Sequence, residues 1–362
     1  MKRKYLLYID MMGRGGAQRV FANLIQHMID SDIEVILVND FELATNEAQY
    51  TVDKNVKRYY LRKTLNGNPI LKNIERIIQL RRIIKRENPD IVLSFLGRPN
   101  KRMLLATIGL KTKKIVSVRN DPDREYAVRG FSKWCARNLF RLADGCVFQT
   151  VGAAAYFPKS VRGKSTIILN PVDRSFFYAV RSECPHNIVT VGRMEPQKNQ
   201  KLLIEVFAEI ADEFPEENLI IYGEGELRTE LEKLCDDLHV ENRVKMPGNV
   251  SNVEERLADA KVFVLPSDYE GLPNALMEAM TVGVACISTD CPCGGPKLLI
   301  RTEHNGILVP VGDKKNMAIA LRNLLNDSKK QKRIGVNAKK SAEEFKTDVI
   351  LSQWDNYLMR FI

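Results

Sequence analysis

Residues 187–214, NIVTVGRMEPQKNQKLLIEVFAEIADEF, decide the fold class of this chain. The stretch opens with β-branched residues, which predict a buried strand over Asn187–Val191. A loop with one glycine follows, and apolar residues then recur at helical spacing, which predicts a helix over Lys201–Phe214. A strand, a loop and a helix in this order are the building unit of an α/β fold with a parallel sheet.

The same alternation of strand and helix continues in both directions over a chain of 362 residues. That length exceeds what one hydrophobic core usually supports, so we predict two Rossmann-like, doubly wound domains. Asn170-Pro171 interrupts the pattern and puts the boundary within Leu169–Val180. The predicted strands are Lys4–Ile9, Glu34–Val38, Asp90–Phe95, Lys114–Val118, Cys146–Gln149, Asn187–Val191, Leu219–Tyr222, Arg243–Met246, Val262–Leu265 and Val284–Ser288.

The composition is that of a globular protein that keeps its thiols free. Seven cysteines, an odd number without zinc-ligand spacing, do not suit a disulfide framework or a metal site. The apolar run Tyr5–Ile9 is too short for a signal-peptide core, and no apolar stretch approaches the ~18 residues that a membrane span needs. We therefore expect a cytoplasmic protein.

Positive charge is concentrated in the first half of the chain. The net charge is +10, and residues 1–180 hold 32 Lys and Arg against 16 Asp and Glu, whereas the remainder holds 23 against 29. This asymmetry predicts an anionic partner such as nucleic acid, anionic lipid or phosphate groups, or else a solvated basic surface. A nucleic-acid-binding protein is the non-enzymatic alternative, but no nucleic-acid motif or array of stacking aromatic residues supports it.

Loops that follow predicted strands carry residues suited to an anionic ligand. Ligands of open parallel sheets bind beyond the carboxyl ends of the strands, so two facing sets of such loops should enclose a cleft. Gly13–Gly16 opens into a helix whose free N–H groups favour an anion, but it lacks the dinucleotide pattern G-x-G-x-x-G. Arg193 and Lys198 follow the strand that ends at Val191, and both should be free to contact a diphosphate.

A further loop, EGLPNALME, spaces two carboxylates, Glu270 and Glu278, eight residues apart. Pro273 suits the first position of a helix, so Glu270 should precede the helix and Glu278 should lie about one and a half turns inside it. The free N–H groups of Gly271 and Leu272 should then face a phosphate, aided by the helix dipole. Glu278 could accept hydrogen bonds from the hydroxyl groups of a ribose.

Together these segments resemble the retaining glycosyltransferases of family 4, which have the GT-B fold. The first half carries GRGGAQRV, VSVRNDP and FQTVGAAAYFP, and the second carries GRMEPQKN, YGEGELRTELE, VKMPGNV, PSDYEGLPNALMEAM and ISTDCPCGGP in the family's order. Gln18 and Leu298 stand where many members have glutamate. The likeness covers nearly the whole chain and implies an α/β protein with the GT-B fold, in which two Rossmann-like doubly wound domains face each other across a cleft.

The resemblance also divides the chain by role. Residues 1–169 would bind the acceptor, residues 170–345 would bind the nucleotide sugar, and a helix within residues 346–362 would return to the first domain. The implied donor-binding residues are Gly15, Gly16, Arg193, Lys198, Asn249, Val250, Glu270, Gly271, Leu272, Asn274 and Glu278.

Three of these residues would be catalytic. The resemblance implies that Arg193 and Lys198 stabilise the departing diphosphate and that Glu270 contacts hydroxyl groups of the transferred sugar. Arg119 and Asn120 stand where many relatives have a histidine, which assigns them to the acceptor side.

The implied reaction is the retaining transfer of a hexosyl or N-acetylhexosaminyl group to a lipid-linked saccharide in surface polysaccharide synthesis. We expect the donor to be a nucleoside diphosphate sugar, specifically a uridine one. No cofactor and no metal ion is expected, and Asp121-Pro122-Asp123 is then a turn rather than a metal-binding D-x-D. The alternative enzyme is a nucleotide-sugar epimerase on the same fold, for which the sequence offers only histidines without motif support.

Two segments of the first half predict peripheral binding to an anionic membrane surface, at the inner face of the cell membrane. Basic and apolar residues mixed in this way suit the headgroup region, although the isoleucines of the first segment would also suit the buried face of a helix. Pro69–Asn88 combines Ile70, Leu71, Ile74, Ile77, Ile78, Ile83 and Ile84 with Lys72, Arg76, Arg81, Arg82, Lys85 and Arg86. Arg124–Arg141 combines Tyr126, Phe131, Trp134 and Phe140 with Arg124, Arg129, Lys133, Arg137 and Arg141.

Overall fold

A computed structural model describes residues 2–13, 15–43, 50–61, 68–126 and 130–362 of the protein. The contacts within the chain divide it into two compact units. Unit 1 comprises Met1–Asn170 with Leu351–Ile362, and unit 2 comprises Pro171–Ile350. Arg14 of the predicted glycine loop and Arg129 of the predicted membrane segment lie outside the described residues.

The described part of unit 1 is a parallel sheet with helices. Its strands are β1 (Lys4–Ile9), β2 (Glu34–Asn39), β3 (Lys57–Tyr60), β4 (Ile91–Phe95), β5 (Lys113–Ser117), β6 (Gly145–Phe148) and β7 (Ser165–Ile167). Its helices are α1 (Gly16–Asp30), α2 (Pro69–Glu87), α3 (Gly97–Ala106), α4 (Pro122–Glu125), α5 (Gly130–Leu139), α6 (Val151–Ala155) and α7 (Lys159–Arg162). The strand order is β3-β2-β1-β4-β5-β6-β7, and every pairing is parallel.

The centre of this sheet is apolar because helices cover both faces. All five residues of β4 are buried, and so are five of the six residues of β1. The final residues of the chain complete the unit: Trp354 stacks on Phe95 with ring centroids 5.6 Å apart. The Tyr357 hydroxyl accepts from the Cys146 N–H at 2.8 Å and donates to the Lys164 carbonyl at 2.7 Å.

Unit 2 has a second parallel sheet. Its strands are β8 (His186–Val191), β9 (Leu219–Tyr222), β10 (Val244–Gly248), β11 (Ala260–Leu265), β12 (Ala285–Thr289) and β13 (Ile307–Val309), in the order β10-β9-β8-β11-β12-β13. The helices are α8 (Arg174–Tyr178), α9 (Gln200–Ile210), α10 (Arg228–Asp237), α11 (Val253–Ala258), α12 (Asn274–Val282), α13 (Gly295–Leu299), α14 (Lys314–Leu325) and α15 (Ser328–Ser341). The last helix, α16 (Thr347–Leu358), begins in unit 2 and continues into the segment that belongs to unit 1.

The ten strands expected from the sequence are all present, with ends displaced by no more than two residues. The sequence reading missed β3, β7 and β13, which are short and lie at edges of the two sheets. Every residue of β3 and β7 keeps some exposure. Edge strands of this kind lack the long buried apolar run by which a central parallel strand is recognised.

Candidate functional site

The strand order of unit 2 reverses between β8 and β11, which are neighbours in the sheet. Successive connections run from β8 to β9 and β10 on one side, and from β11 to β12 and β13 on the other. A crevice forms at such a reversal, beyond the carboxyl ends of the strands, and it is the usual ligand site of this architecture. Residues 192–199 follow β8 and residues 266–273 follow β11, so both predicted loops lie at this point.

A buried ion pair joins the two loops. The Lys198 Nζ lies 2.5 Å from the Glu270 Oε1, and the side chains are 19% and 6% exposed. The Ser267 hydroxyl donates to the same carboxylate oxygen at 2.7 Å. These contacts fix the Glu270 carboxylate beside the Lys198 ammonium at the strand reversal.

The backbones of the two loops are also hydrogen-bonded together. Asp268 N–H donates to the Gln197 carbonyl at 2.9 Å, and the Gln197 amide donates to the Tyr269 carbonyl at the same distance. The Asn199 amide donates to Asp268 Oδ1 at 2.7 Å. Gln197 and Ser267 were not among the predicted site residues, although both lie inside the quoted motifs. Their role depends on a pairing of loops that sequence spacing does not reveal.

Arg193 has a different environment from Lys198. Its side chain is 69% exposed, and its Nη1 lies 2.6 Å from Glu195 Oε1. Each of the two cations is thus paired with a carboxylate, which the sequence did not predict. An exposed pair such as Arg193–Glu195 contributes little to stability and can exchange its partner for a phosphate oxygen.

The helix after Glu270 begins one residue later than expected. α12 starts at Asn274, and Pro273 is its N-cap in extended conformation rather than its first helical residue. No side chain caps this end, and the first turn contains no acidic residue. Because the N–H groups of a first helical turn favour an anion, this helix end suits a phosphate. Glu278 is buried within the helix, as the spacing predicted.

The loop Gly271-Leu272 is packed tightly against its neighbours. Both residues are buried, and a Cβ on Gly295 would overlap with the Gly271 carbonyl oxygen. Gly294 has φ 78°, a value that glycine adopts readily. In the CGGP segment, Gly295 therefore permits the close approach of the EGLP loop, and Gly294 permits the turn before it.

Asn249 and Val250 lie at the same carboxyl edge of the sheet, after β10. Strand β9 separates β10 from β8. Asn249 is exposed and Val250 is half-buried, and Gly248 turns the chain with φ 84°. The two residues are thus placed to contact the outer part of a ligand that extends from the strand reversal, although no contact joins them to Lys198 or Glu270.

Unit 1 has its own strand reversal, between β1 and β4. Gly15 and Gly16 follow β1: Gly15 is the N-cap of α1, and Gly16 is its first residue. No side chain caps α1, and its first turn has no acidic residue. A Cβ on Gly15 would overlap with the amide oxygen of the Gln18 side chain, which would have to move aside.

Arg119 follows β5 in unit 1 and is only 8% exposed. Its guanidinium lies over the Phe95 ring, 4.6 Å from the centroid, and 5.9 Å from that of Trp354. Among the described residues none accepts a hydrogen bond from its three nitrogens, and burial alone lowers the pKa of the guanidinium to about 9. The side-chain oxygen of the neighbouring Asn120 accepts a hydrogen bond from the Asp121 N–H at 2.9 Å.

Glu125 was missed by the sequence reading. It ends α4, and its Oε1 accepts from the Gly97 N–H at 2.6 Å, next to the end of β4. Burial raises the pKa of this carboxyl to about 7, and the charge of Asp10 adds to the increase, while the Gly97 N–H and the charge of Lys101 oppose it. The only hint in the sequence is that Glu125 follows the VSVRNDP motif closely.

Metal-binding geometry is not found in the described part of the chain. No group of three or more His, Cys, Asp or Glu residues is arranged there to hold an ion. In the D-x-D triplet, Asp121 caps α4 by accepting from the Asp123 N–H at 2.9 Å. Asp123 pairs with Lys133 at 2.6 Å.

Helix α2 exposes much of its apolar surface, contrary to the alternative of a buried isoleucine face. Only Leu80 and Ile84 are buried among its apolar residues, whereas Ile77 and Ile83 are half-buried. The exposed ones lie on one side of the first three turns and are Ile70, Leu71, Ile74 and Ile78. Further along the same helix, Arg82, Lys85 and Arg86 are exposed as well. We call the set of these seven residues the α2 stripe.

The second expected membrane segment is only partly exposed. Phe131 and Trp134 on α5 are exposed and stack with centroids 5.6 Å apart. Tyr126 and Phe140 are buried, so only two of the four aromatic residues in this segment are available to a membrane surface. Lys133 and Arg137 lie near the Tyr156 ring. Across the described residues, the helices are too short or too polar to cross a bilayer.

Two family models match the chain in succession. The model described as "Glycosyltransferase Family 4" matches residues 14–176, and the one described as "Glycosyl transferases group 1" matches residues 175–341. Together they cover the strand reversal of unit 2, strands β2 to β7 of unit 1 and nearly all of the site residues described above.

Curated relatives match over almost the full length. An N-acetylgalactosaminyltransferase of Campylobacter jejuni, named for the acceptor GalNAc-alpha-(1->4)-GalNAc-alpha-(1->3)-diNAcBac-PP-undecaprenol, is 28% identical over 97% of this chain and 97% of its own. A second enzyme of that organism, the N-acetylgalactosamine-N,N'-diacetylbacillosaminyl-diphospho-undecaprenol 4-alpha-N-acetylgalactosaminyltransferase, is 27% identical over 95% of this chain and 96% of its own.

Solved structures agree at the level of the fold. HepE of Anabaena, crystallised with UDP and glucose, superposes with a TM-score of 0.82 at 17% identity and covers 99% of each chain. At this identity the likeness bears on architecture alone.

Proposed function

Since this chain is a glycosyltransferase with the GT-B fold, we propose that it transfers a hexosyl or N-acetylhexosaminyl group from a UDP-sugar to a lipid-linked saccharide, with retention of anomeric configuration. The observation that carries this proposal is the buried pair of Lys198 and Glu270 at the strand reversal of unit 2. It joins a cation for the leaving diphosphate to a carboxylate for the sugar. An epimerase on the same fold is the weaker alternative, because the relatives named above are transferases.

In this proposal unit 2 binds the donor. Lys198, Arg193 and the uncapped start of α12 stabilise the diphosphate, whose negative charge grows as it departs. Glu270 accepts hydrogen bonds from hydroxyl groups of the sugar, and Glu278 does the same for the ribose. The backbone at Asn249 and Val250 contacts the base. The proposed uridine donor follows the expectation from the family resemblance, and HepE, which shares the fold, was crystallised with UDP.

The chemical step needs no protein base. The bond between the anomeric carbon and the diphosphate oxygen breaks, and the acceptor oxygen bonds to the same carbon on the same face. The acceptor proton passes to the departing phosphate oxygen, which leaves as part of UDP. The protein contributes fixed positive charge around that oxygen, and removing one such stabilising group typically lowers kcat by about 100-fold to 1,000-fold. No metal ion takes part in the proposed step.

Unit 1 binds the acceptor in this proposal. The relatives that match along the full length are named for acceptors linked to undecaprenol through a diphosphate. Arg119 has a buried guanidinium without a hydrogen-bond acceptor among the described residues, which suits an anionic group of such an acceptor. Asn120 offers a polar side chain beside it.

Unit 1 also docks on an anionic bilayer in this proposal. The α2 stripe presents four apolar side chains followed by three basic ones, and the stacked Phe131–Trp134 pair adds aromatic surface. Each basic residue close to an anionic surface contributes roughly 1 kcal/mol. The excess of basic residues in the first half of the chain supports a bilayer rich in anionic lipid over a neutral one.

The transfer reaction is tested with labelled UDP-hexoses and UDP-N-acetylhexosamines, with and without undecaprenyl-diphosphate-linked saccharides. We expect a labelled lipid-linked product whose NMR coupling constants show the donor's anomeric configuration. An inverted linkage contradicts retention. Epimerised donor in the absence of acceptor favours the epimerase.

Docking is tested by sedimentation with liposomes at moderate salt. We expect binding to vesicles with about one third anionic lipid, and loss of binding in Ile74→Asp/Ile78→Asp and in Arg82→Glu/Lys85→Glu. Val336→Asp, at an exposed apolar residue of unit 2, is the matched control. If the wild-type protein ignores anionic vesicles, or if both double variants sediment like it, the docking proposal fails.

A further inference from the structure

The carboxyl group of Glu125 lies at the strand reversal of unit 1, where this architecture usually holds a ligand. Glu125 is the last residue of α4, which follows β5, but its Oε1 reaches the neighbouring loop after β4. There it accepts from the Gly97 N–H at 2.6 Å. The charge of Asp10, directly after β1, also acts on it, so three adjacent strands bring groups to this carboxyl.

The surrounding backbone is shaped to hold this side chain. A Cβ on Gly97 would lie 2.8 Å from the Glu125 Cγ, so only glycine leaves room for it. The preceding residue, Leu96, has φ 73°, which is strained for a side chain of its size. Asp121 caps the short helix that ends at Glu125. These constraints fix one carboxylate oxygen and thereby orient the other.

The second oxygen, Oε2, is enclosed and accepts no hydrogen bond from any described residue. Glu125 as a whole nevertheless keeps some exposure, so the site lies close to the surface of unit 1. Lys101, the nearest cation on α3, donates to the Tyr126 carbonyl at 3.2 Å rather than to Glu125. An enclosed carboxylate oxygen without a donor destabilises the fold unless another molecule supplies one.

We propose that Glu125 is an acceptor-binding residue, whose Oε2 accepts a hydrogen bond from a hydroxyl group of the saccharide that receives the sugar. This inference rests on the proposed function and adds to it a residue and a ligand group. A hydroxyl fits because it is a neutral donor. A phosphate oxygen does not, since Glu125 and Asp10 would both repel it.

The ionisation of Glu125 gives this role a pH dependence. The ionised carboxylate is the stronger acceptor, and the pKa of the buried group is raised to about 7. The groups that act on it are Asp10, whose pKa burial also raises, and Lys101, whose pKa burial lowers. The kcat/KM for the acceptor should therefore rise with pH through neutrality.

The test compares Glu125→Gln with the wild type, with kcat and KM measured for each substrate across about two pH units on either side of neutrality. The glutamine keeps an oxygen for the Gly97 N–H but replaces the acceptor Oε2 by a donor. We expect the acceptor KM to rise by about 10-fold to 100-fold at alkaline pH, with the donor KM unchanged. The rise of kcat/KM through neutrality should disappear. Glu34→Gln, in a half-exposed ion pair at the start of β2, is the matched control.

Two other outcomes of this experiment would overturn the inference. A variant with wild-type acceptor kcat/KM and pH profile shows that Glu125 is only structural. A donor KM that rises as much as the acceptor KM assigns Glu125 to the donor instead.

If the wild type transfers nothing, the proposed function fails separately. Saturation-transfer NMR with methyl glycosides of the common hexoses and N-acetylhexosamines then decides the role of Glu125. Weaker signals in Glu125→Gln than in the wild type support it, and equal or absent signals overturn it.

Discussion

The two strand reversals hold their charged groups in opposite ways. In unit 2, Lys198 and Arg193 are each paired with a carboxylate, Glu270 and Glu195. In unit 1, the Arg119 guanidinium and the Glu125 Oε2 are enclosed without hydrogen-bond partners among the described residues.

The two units therefore differ in how their charged site residues are stabilised before a ligand binds. The cations of unit 2 are paired with carboxylates of the same unit, and hydrogen bonds join the loops that carry Lys198 and Glu270. A buried group without a partner destabilises the fold, and such groups concentrate where function requires them. We therefore infer that unit 1 holds the groups that a substrate completes, and the predictions below test this contrast.

The largest effect is expected for Lys198→Ala, which should lower kcat by about 100-fold to 1,000-fold, because the cation for the leaving phosphate is lost. Arg193→Ala should lose most of kcat as well, with the fold intact. Lys201→Ala, at an exposed position in the first turn of α9, should leave kcat unchanged. Turnover at the wild-type level in both variants would remove the leaving-group assignment.

The buried partner of Lys198 complicates that experiment, because Glu270 alone is an uncompensated charge. We expect Lys198→Ala/Glu270→Gln to regain the stability lost in Lys198→Ala, as measured by urea unfolding, but to stay inactive. Recovery of activity together with stability would show that the ion pair is structural only.

A smaller effect is expected for Glu278→Ala, which should weaken binding of UDP by roughly 10-fold, since one charged hydrogen-bond acceptor for the ribose is lost. Isothermal titration calorimetry measures this affinity. Glu230→Ala, exposed on α10, serves as the control. An unchanged dissociation constant for Glu278→Ala would contradict the ribose assignment.

The contrast between units also predicts a stability effect in unit 1. The pKa of Glu125 is raised from 4.5 to about 7 in the folded state, so the folded protein binds the proton more tightly than the unfolded chain. Stability from this group is present at low pH and is lost as the pH rises through about 7. Glu125→Gln should therefore be more stable than the wild type at pH ~8, by about 1–3 kcal/mol, but not at pH ~5.

Thermal unfolding at the two pH values measures this difference, with Glu34→Gln as reference. A variant that is less stable than the wild type at alkaline pH would show that the carboxylate is compensated in the folded protein. Unit 1 would then resemble unit 2.

The smallest expected effect is that of metal removal. Fixed cations and the start of α12 occupy the role that a divalent ion has in other transferases. Activity in excess EDTA should equal that of the untreated protein. Complete loss in EDTA, restored by magnesium or manganese, would contradict the proposed step.

Much of the architecture could be predicted from the sequence because it follows from local patterns. Runs of β-branched residues predicted the central strands, and apolar residues at helical spacing predicted the helices between them. The carboxyl ends of parallel strands always lie at the same edge of their sheet. Lys198 and Glu270 could thus be assigned to one site although 72 residues separate them. The GT-B fold that the motifs implied is confirmed by the comparisons with solved structures.

Other features depended on tertiary packing. Trp354, near the end of the chain, stacks on Phe95, and Glu125 after β5 contacts Gly97 after the neighbouring strand β4. The sequence left open whether α2 exposes or buries its isoleucines, and it did not predict the pairing of Arg193 with Glu195. The sequence by itself determined which segments form strands, helices and ligand loops, because periodicity and backbone chemistry are local. The tertiary structure decided which charged groups are paired and which are not. That outcome depends on strand order and burial, and both arise only when the whole chain packs.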